Sequence, residues 1–467
     1  MIAAAVLATA PVANEVTVYN QGFGLIKETR TMNLKTGRQT VAVTDVASMI
    51  EPATVAIRSV TEEGSFSVLE QNYQYDLISV QAVLNKSVGQ RIRFVRHVGT
   101  QKEVLEGELI SSPTAIIGTP DGGNQQTYNG MVLKTDDGRI VLNPTGEIEV
   151  LTLPAGLISK PTLLWDIESK RAGENTVELS YLTRGMSWKA DYVLTIDGLG
   201  KGDLKGWVTV DNQSGASFEN AKLKLLAGEV NRAQPPQAMF RTMDAMAGRS
   251  EAKAGFQEES LFEYHLYTLQ RPATVRNRET KQLSLLEAFN VPVSKKLVVD
   301  ATRAFGRYYP NEGEVGTGNI SPQVRLEFTN NAASHMGMPL PKGIVRVYQR
   351  DASGSVQMLG EDNIDHTPKD EKLSLVVGRS FDVVAERKRT EFKRINDRTV
   401  QETYEIEVRN RKDSPESVYV IERSWGDWKL VKQSQDFVKL DSNTFQFLVP
   451  LKAGEVKKVT YTIETRW

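Results

Sequence analysis

The sequence predicts an all-β protein. It contains multiple immunoglobulin-like β-sandwich regions, a small SH3-like or Sm-like barrel and a short, partly helical linker. Two observations carry this. Apolar residues recur with period two along most of the chain, the mark of half-buried strands rather than helices. Turn-forming pairs such as Asp121-Gly122-Gly123, Asp136-Asp137-Gly138, Asp197-Gly198, Ser353-Gly354 and Asn396-Asp397 punctuate those runs at spacings typical of sandwiches, which disfavours helix-crossover units.

The chain divides in order as follows. Residues 1–13, MIAAAVLATAPVA, form a small apolar run ahead of Asn14 and Glu15 and resemble the core and cleavage region of a secretory signal, cut after Ala13. No Lys or Arg precedes Lys27, which a trimmed start would explain; a first strand or helix is the competing reading. Residues 14–82 follow as an N-terminal β region, and 83–153 hold about five short strands, the size of a small barrel. In the central sandwich region, 154–310, Val177, Leu179 and Tyr181 mark one strand and Trp188, Ala190, Tyr192, Leu194 and Ile196 the next.

That region contains a linker at 233–259, where Pro235-Pro236 and Met239, Met243 and Met246 at helical spacing replace the β pattern. Residues 311–467 close the chain as an immunoglobulin-like sandwich. There Val400, Tyr404, Ile406 and Val408 alternate with polar residues. Phe445, Phe447, Val449 and Leu451 lead through an Ala453-Gly454 turn to Val459, Tyr461 and Ile463, read as a hairpin partner.

Composition narrows function. With 57 Lys+Arg against 58 Asp+Glu, the net charge of -1 supplies no basic excess for nucleic acid. The chain has no cysteine and only His97, His265, His335 and His366, which removes thiol catalysis, disulfides and cysteine zinc sites. No run approaches the roughly 20 residues of a membrane-spanning helix. No cofactor or metal motif is recognised.

Two polar clusters remain. Glu361, Asp362, Asp365 and His366 place an imidazole among carboxylates, the composition of a general base or a hydrolase site, glycosidase or peptidase-like; a polar inter-strand loop accounts for the same residues. Arg387, Arg389, Lys393 and Arg394 form a basic run suited to an acidic polysaccharide, although Glu386, Glu391 and Asp397 interleave with it.

Several motifs resemble one family. These are Trp188-Lys189-Ala190-Asp191-Tyr192, Gly206-Trp207-Val208-Thr209-Val210-Asp211-Asn212-Gln213-Ser214-Gly215, Met338-Pro339-Leu340-Pro341-Lys342-Gly343, His366-Thr367-Pro368 and Asn410-Arg411-Lys412. Together they are similar to a large bacterial family of exported proteins carrying a domain of unknown function, sometimes labelled mucoidy-inhibitor-like. Leu225-Leu226-Ala227-Gly228 departs from the Leu-Ser-Thr-Ala strand end common in relatives. The resemblance implies an exported, sandwich-rich protein without an established activity. The expectation is a secreted or periplasmic, non-enzymatic scaffold of the cell envelope, whose partner is another envelope or extracellular protein, or a polysaccharide.

Overall fold

The computed structural model describes residues 6–98, 101–111, 114–118, 124–128, 130–232, 256–301 and 316–467. The linker methionines Met239, Met243 and Met246 lie outside the described residues, as do Asp121-Gly122-Gly123.

Strands dominate throughout. β1 (Val6–Leu7), β2 (Ala13–Tyr19), β3 (Phe23–Leu34), β4 (Gly37–Thr44), β5 (Ala56–Ser59) and β6 (Phe66–Gln74) precede the helix α1 (Val80–Lys86), whose first turn is capped by the Ser79 hydroxyl accepting from the Ala82 N–H at 3.0 Å. The small module follows as β7 (Arg91–Val98), β8 (Gln101–Leu109), β9 (Thr114–Gly118), β10 (Asn124–Tyr128), β11 (Val132–Thr135), β12 (Ile140–Leu142) and β13 (Glu147–Val150). The central strands are β14 (Thr162–Ser169), β15 (Gly173–Arg184), β16 (Met186–Ile196), β17 (Lys201–Asn212), β18 (Phe218–Ala227), β19 (Phe256–Leu261), β20 (Tyr264–Leu269), β21 (Ala273–Val275) and β22 (Glu279–Pro292). Last come β23 (Ser294–Asp300), β24 (Gly318–Ile320), β25 (Gln323–Thr329), β26 (Gly343–Arg350), β27 (Val356–Ile364), β28 (Lys372–Arg379) and β29 (Val383–Asn396). They continue with β30 (Thr399–Asn410), β31 (Glu416–Arg423), β32 (Asp427–Gln433), β33 (Phe437–Lys439), β34 (Thr444–Leu451) and β35 (Val456–Arg466).

The all-β, multi-sandwich architecture is as the alternation predicts, but pairing crosses the divisions drawn from sequence. β2 and β3 join β15, β18 and β20 in one sheet, while β4 and β6 flank β14 in another. A five-stranded sheet runs β22-β17-β16-β26-β27, so strands from both sides of residue 310 share it. One continuous core, including Val16, Trp165, Tyr181, Trp188, Leu285 and Phe328, lies among these sheets. In the small module, β7, β8, β11 and β12 form a meander and β13 returns to pair with β7; among the described residues this sheet stays open rather than closing into a barrel. Ile92, Phe94, Leu109 and Leu133 make its own small core.

The C-terminal sandwich stacks the sheet β28-β25-β23-β31-β34-β33 on the sheet β24-β29-β30-β35-β32. Val400, Tyr404, Ile406 and Val408 are all buried, as their alternation predicts. β34 and β35 are not hairpin partners, however. β34 pairs with β31 and β33, and β35 pairs with β30 and β32. The Ala453-Gly454 turn therefore steps from one sheet to the other, and the two apolar rows meet face to face in the core with Phe445 and Phe447 against Tyr461. The first sheet of the sandwich also reaches the main core, because Leu326, Phe328, Leu373 and Leu375 of β25 and β28 belong there.

Three fully buried asparagines mark places where the chain leaves a strand. Asn212 donates to the carbonyls of Ala216, Val275 and Arg276 and accepts from the Ser214 N–H and hydroxyl. Asn330 donates to the carbonyls of Met338 and Pro368 and accepts from the Gly337 N–H. Asn410 donates to the carbonyls of Ser414 and Lys452 and accepts from the Lys412 N–H. A carboxamide carries both donor and acceptor, so one side chain supplies buried backbone groups that no ladder reaches.

Asn330→Ala and Asn410→Ala each leave at least two carbonyls and an N–H without their buried side-chain partner, and each is expected to lower unfolding stability by about 2–4 kcal/mol. Asn363→Ala, at an exposed position, is expected to shift it by less than about 0.5 kcal/mol. Denaturant titration followed by tryptophan fluorescence measures all three; equal effects would remove the structural role assigned to the buried pair.

Candidate functional site

The residues singled out around His366 lie where β16, β26 and the end of β27 come together. β16 and β26 run parallel from Ala190 opposite Gly343, and β27 pairs antiparallel with β26 from Ile364 opposite Gly343. Contact is so close at Gly343 that a Cβ there would sit 2.2 Å from the Ala190 carbonyl oxygen. Beside this junction lies a cleft of about 350 Å³, lined among others by Lys189, Asp191, Lys342, Ile344, Asn363 and Asp365.

The lead into β26 contains Pro339 and Pro341, which have no N–H to offer a sheet. Their carbonyls are nevertheless buried and matched. The Tyr267 hydroxyl donates to Pro339 O at 3.0 Å and the Tyr192 hydroxyl to Pro341 O at 2.8 Å, while Leu340 and Thr367 exchange backbone bonds at 2.8 and 2.9 Å. Burial pushes both phenols well above the ordinary tyrosine pKa, so they stay protonated donors. Trp188 meets Tyr267 edge-on and donates its indole N–H to Leu226 O.

The four candidate residues do not converge. Glu361 pairs with Arg346 at 3.2 Å, and Arg346 also reaches Asp191 at 3.0 Å. Asp362, the next residue along the strand, projects to the opposite side. Its carboxylate accepts from the Val376 N–H at 2.7 Å and from the Asn363 N–H at 2.9 Å, tying the edge of β27 to β28. At that same edge a Cβ on Gly360 would meet the Val377 carbonyl oxygen at 2.0 Å. Asp365 is exposed beside the cleft, and its backbone carbonyl accepts from the Thr367 hydroxyl.

His366 accepts the Lys342 N–H on Nδ1 at 3.3 Å, which makes it a cap for the backbone group just ahead of β26. Its pKa is held below the ordinary histidine value, first by partial desolvation of a side chain that stays exposed overall and then by the charges of Lys342 and His265, opposed by Asp365 and Glu229. His265 in turn bonds Glu258 through Nδ1 at 2.8 Å. Among the described residues, no group of three or more His, Asp or Glu side chains is placed to hold a metal ion.

The basic run is split by the structure. Arg387 is fully buried, with two bonds to the Glu422 carboxylate at 2.9 Å, a bond to the Tyr461 hydroxyl at 3.3 Å and its guanidinium over the Tyr404 ring. Arg389 pairs with Glu402 at 2.8 Å, both side chains nearly inaccessible. Neither can meet a polysaccharide, and this corrects the grouping of all four residues as one basic surface. Lys393 and Arg394 remain exposed near the tip of the β29–β30 hairpin. Arg387 shares strand parity with the buried Val383 and Ala385, a signal that sequence reasoning missed.

An all-β, multi-sandwich protein is thus defined, whose distinctive motifs serve strand ends and strand junctions. The family model described as Domain of unknown function (DUF4139) matches residues 177–467, and the chain belongs to that family. No curated protein matches the chain.

A pH response follows from His366. The unfolded chain takes up this proton near the ordinary value of 6.5, whereas the folded protein resists it to lower pH. The stability it contributes is therefore complete above that value and declines as pH falls through it towards the folded pKa. His366→Gln is expected to flatten the loss of melting temperature between about pH 7.5 and about pH 5. Identical slopes in parent and variant would show that this imidazole is not linked to folding.

Proposed function

We propose that this chain is an exported, non-enzymatic binding or scaffold protein of the bacterial cell envelope whose partner is another envelope or extracellular protein. The observation that carries the reading is the commitment of its polar clusters to structure: Asp362 ties β27 to β28, Glu361 neutralises Arg346, and Arg387 is buried against Glu422. General acid–base chemistry needs such groups to converge on a substrate with a proton to exchange. Sheet edges, by contrast, are suited to extended partners. Among the described residues β6 pairs on one side only, with β14, and carries exposed Val68 and Leu69.

Export rests on the apolar run at 1–13, and the absence of cysteine is compatible with an oxidising compartment. Cleavage after Ala13 would have a structural consequence. With residues 6–13 in place, β1 pairs parallel with β4, and Arg30 donates to the Thr9 carbonyl at 3.1 Å. Loss of those residues opens the edge of β4 and frees one arm of the Arg30 guanidinium.

Two measurements test the proposal. Intact mass of the protein recovered from outside the cytoplasm is expected to lack the first 13 residues; recovery of the uncleaved chain in the cytoplasm removes the export reading. Cross-linking in the native envelope followed by mass spectrometry is expected to return one reproducible protein partner. Capture of none, together with glycan or peptide hydrolysis that His366→Ala abolishes, would replace the scaffold with a hydrolase.

A further inference from the structure

A second concave surface lies at one end of the C-terminal sandwich, away from the His366 junction. It is a groove of about 660 Å³ between the start of β31, the end of β34 and the start of β35, with Lys295 of β23 on its flank. Its shape is fixed from beneath by Asn410, which ties the turn carrying Ser414 to the one carrying Lys452. The Lys412 carbonyl accepts the Gly454 N–H, and the Glu455 carboxylate accepts the Lys452 N–H. Both walls are therefore positioned before any ligand arrives, which lowers the ordering cost of binding.

The charge of this groove is unbalanced. Glu416 is held between the ammonium groups of Lys295 and Lys412, each at 2.8 Å. Burial opposes its charge, but the two lysines outweigh that and keep its pKa below the ordinary glutamate value, so it remains an anion already matched. The carboxylate of Glu455 is occupied by its own turn. Among the described residues Lys452 is exposed with no carboxylate partner, and the Lys457 ammonium bonds the Pro450 carbonyl alone, at 3.5 Å. Three lysines and two glutamates line the groove, and among the described residues neither Lys452 nor Lys457 is ion-paired to a carboxylate, so the excess is positive.

Between these charges lie the apolar Pro415 and Pro450 and the Tyr419 ring, over Leu451, which is buried in the core beneath. A sugar chain needs many polar groups aimed at its hydroxyls, and here Ser417 is the one uncharged hydrogen-bonding side chain apart from the tyrosine. An extended peptide that alternates acidic and apolar side chains meets both features, because it offers carboxylates to Lys452 and Lys457 and aliphatic groups to the prolines.

We propose that this groove binds an acidic, extended peptide segment of a partner protein, its carboxylates received by Lys452 and Lys457. The inference rests on the binding-protein reading above and names the surface and chemistry of the contact.

The test uses the full chain and a fluorescein-labelled dodecapeptide alternating glutamate and valine, with the lysine–valine peptide and an oligogalacturonate of similar charge alongside. Saturable binding of the glutamate peptide alone is expected, weakened about tenfold in the double variant Lys452→Glu/Lys457→Glu and weakened by salt. The neutral pair Lys452→Gln/Lys457→Gln, which adds no repulsion, is expected to fall between parent and reversal. Equal binding by parent and both variants overturns the proposal, as does absence of peptide binding or preference for the oligogalacturonate. Envelope cross-linking repeated with the glutamate double variant separates the two readings. A partner still captured by that variant means that the groove is wrong and the scaffold stands, whereas a partner captured by neither protein means that the scaffold itself fails.

Discussion

Buried backbone groups that leave a β-ladder must still find hydrogen-bond partners, and much of this molecule is arranged around that requirement. Strands in several sheets end inside the protein or pass from one sheet to another, so donors and acceptors at those points are beyond the reach of neighbouring strands. Asn212, Asn330 and Asn410 supply them at three strand ends. Tyr192 and Tyr267 supply them to the proline-containing lead into β26. Each unmatched group would cost a sizeable part of the small net stability of a domain, which is why uncharged side chains with fixed geometry occupy these positions.

Charged residues follow a related logic. Arg387 with Glu422, and Arg389 with Glu402, are buried pairs whose partners lie on other strands; Arg387 is further held by the Tyr461 hydroxyl and the Tyr404 ring. Arg30 and Glu28 are buried side by side within one strand, β3, and there the cross-strand contact is the Tyr181 hydroxyl of β15 donating to the Glu28 carboxylate. Removal of one member of any of these pairs would strand an uncompensated charge, and the pairs that join two strands specify which strands meet more than they add net stability. On the surface the balance differs, and among the described residues Lys452 and Lys457 have no carboxylate partner.

The fold class was legible because alternation of apolar and polar residues is a local property, and in β30 every apolar position of the predicted face is buried. The position of His366 near a cleft was legible as a dense polar loop, but its use was not. Consecutive residues on a strand point in opposite directions, so Glu361 and Asp362, adjacent in sequence, serve different neighbours. The basic run misled for the same reason. Arg387 has the parity of Val383 and Ala385, and only the arrival of Glu422 from β31 makes burial of a guanidinium tolerable.

By itself the sequence determined that the chain would form strands, which face of many of them would be apolar, where turns would fall, and that cysteine chemistry is excluded. The resemblance of its motifs to a family carrying a domain of unknown function also stood in the residues alone. Tertiary structure decided which strands share a sheet: β34 and β35 face one another across a core rather than pairing, and β16 pairs parallel with β26 from far along the chain. It also decided which polar residues are structural and which are free. The physical reason is that periodicity is set by neighbours in sequence, whereas pairing, burial of charge and the filling of orphaned hydrogen bonds depend on groups brought together over hundreds of residues.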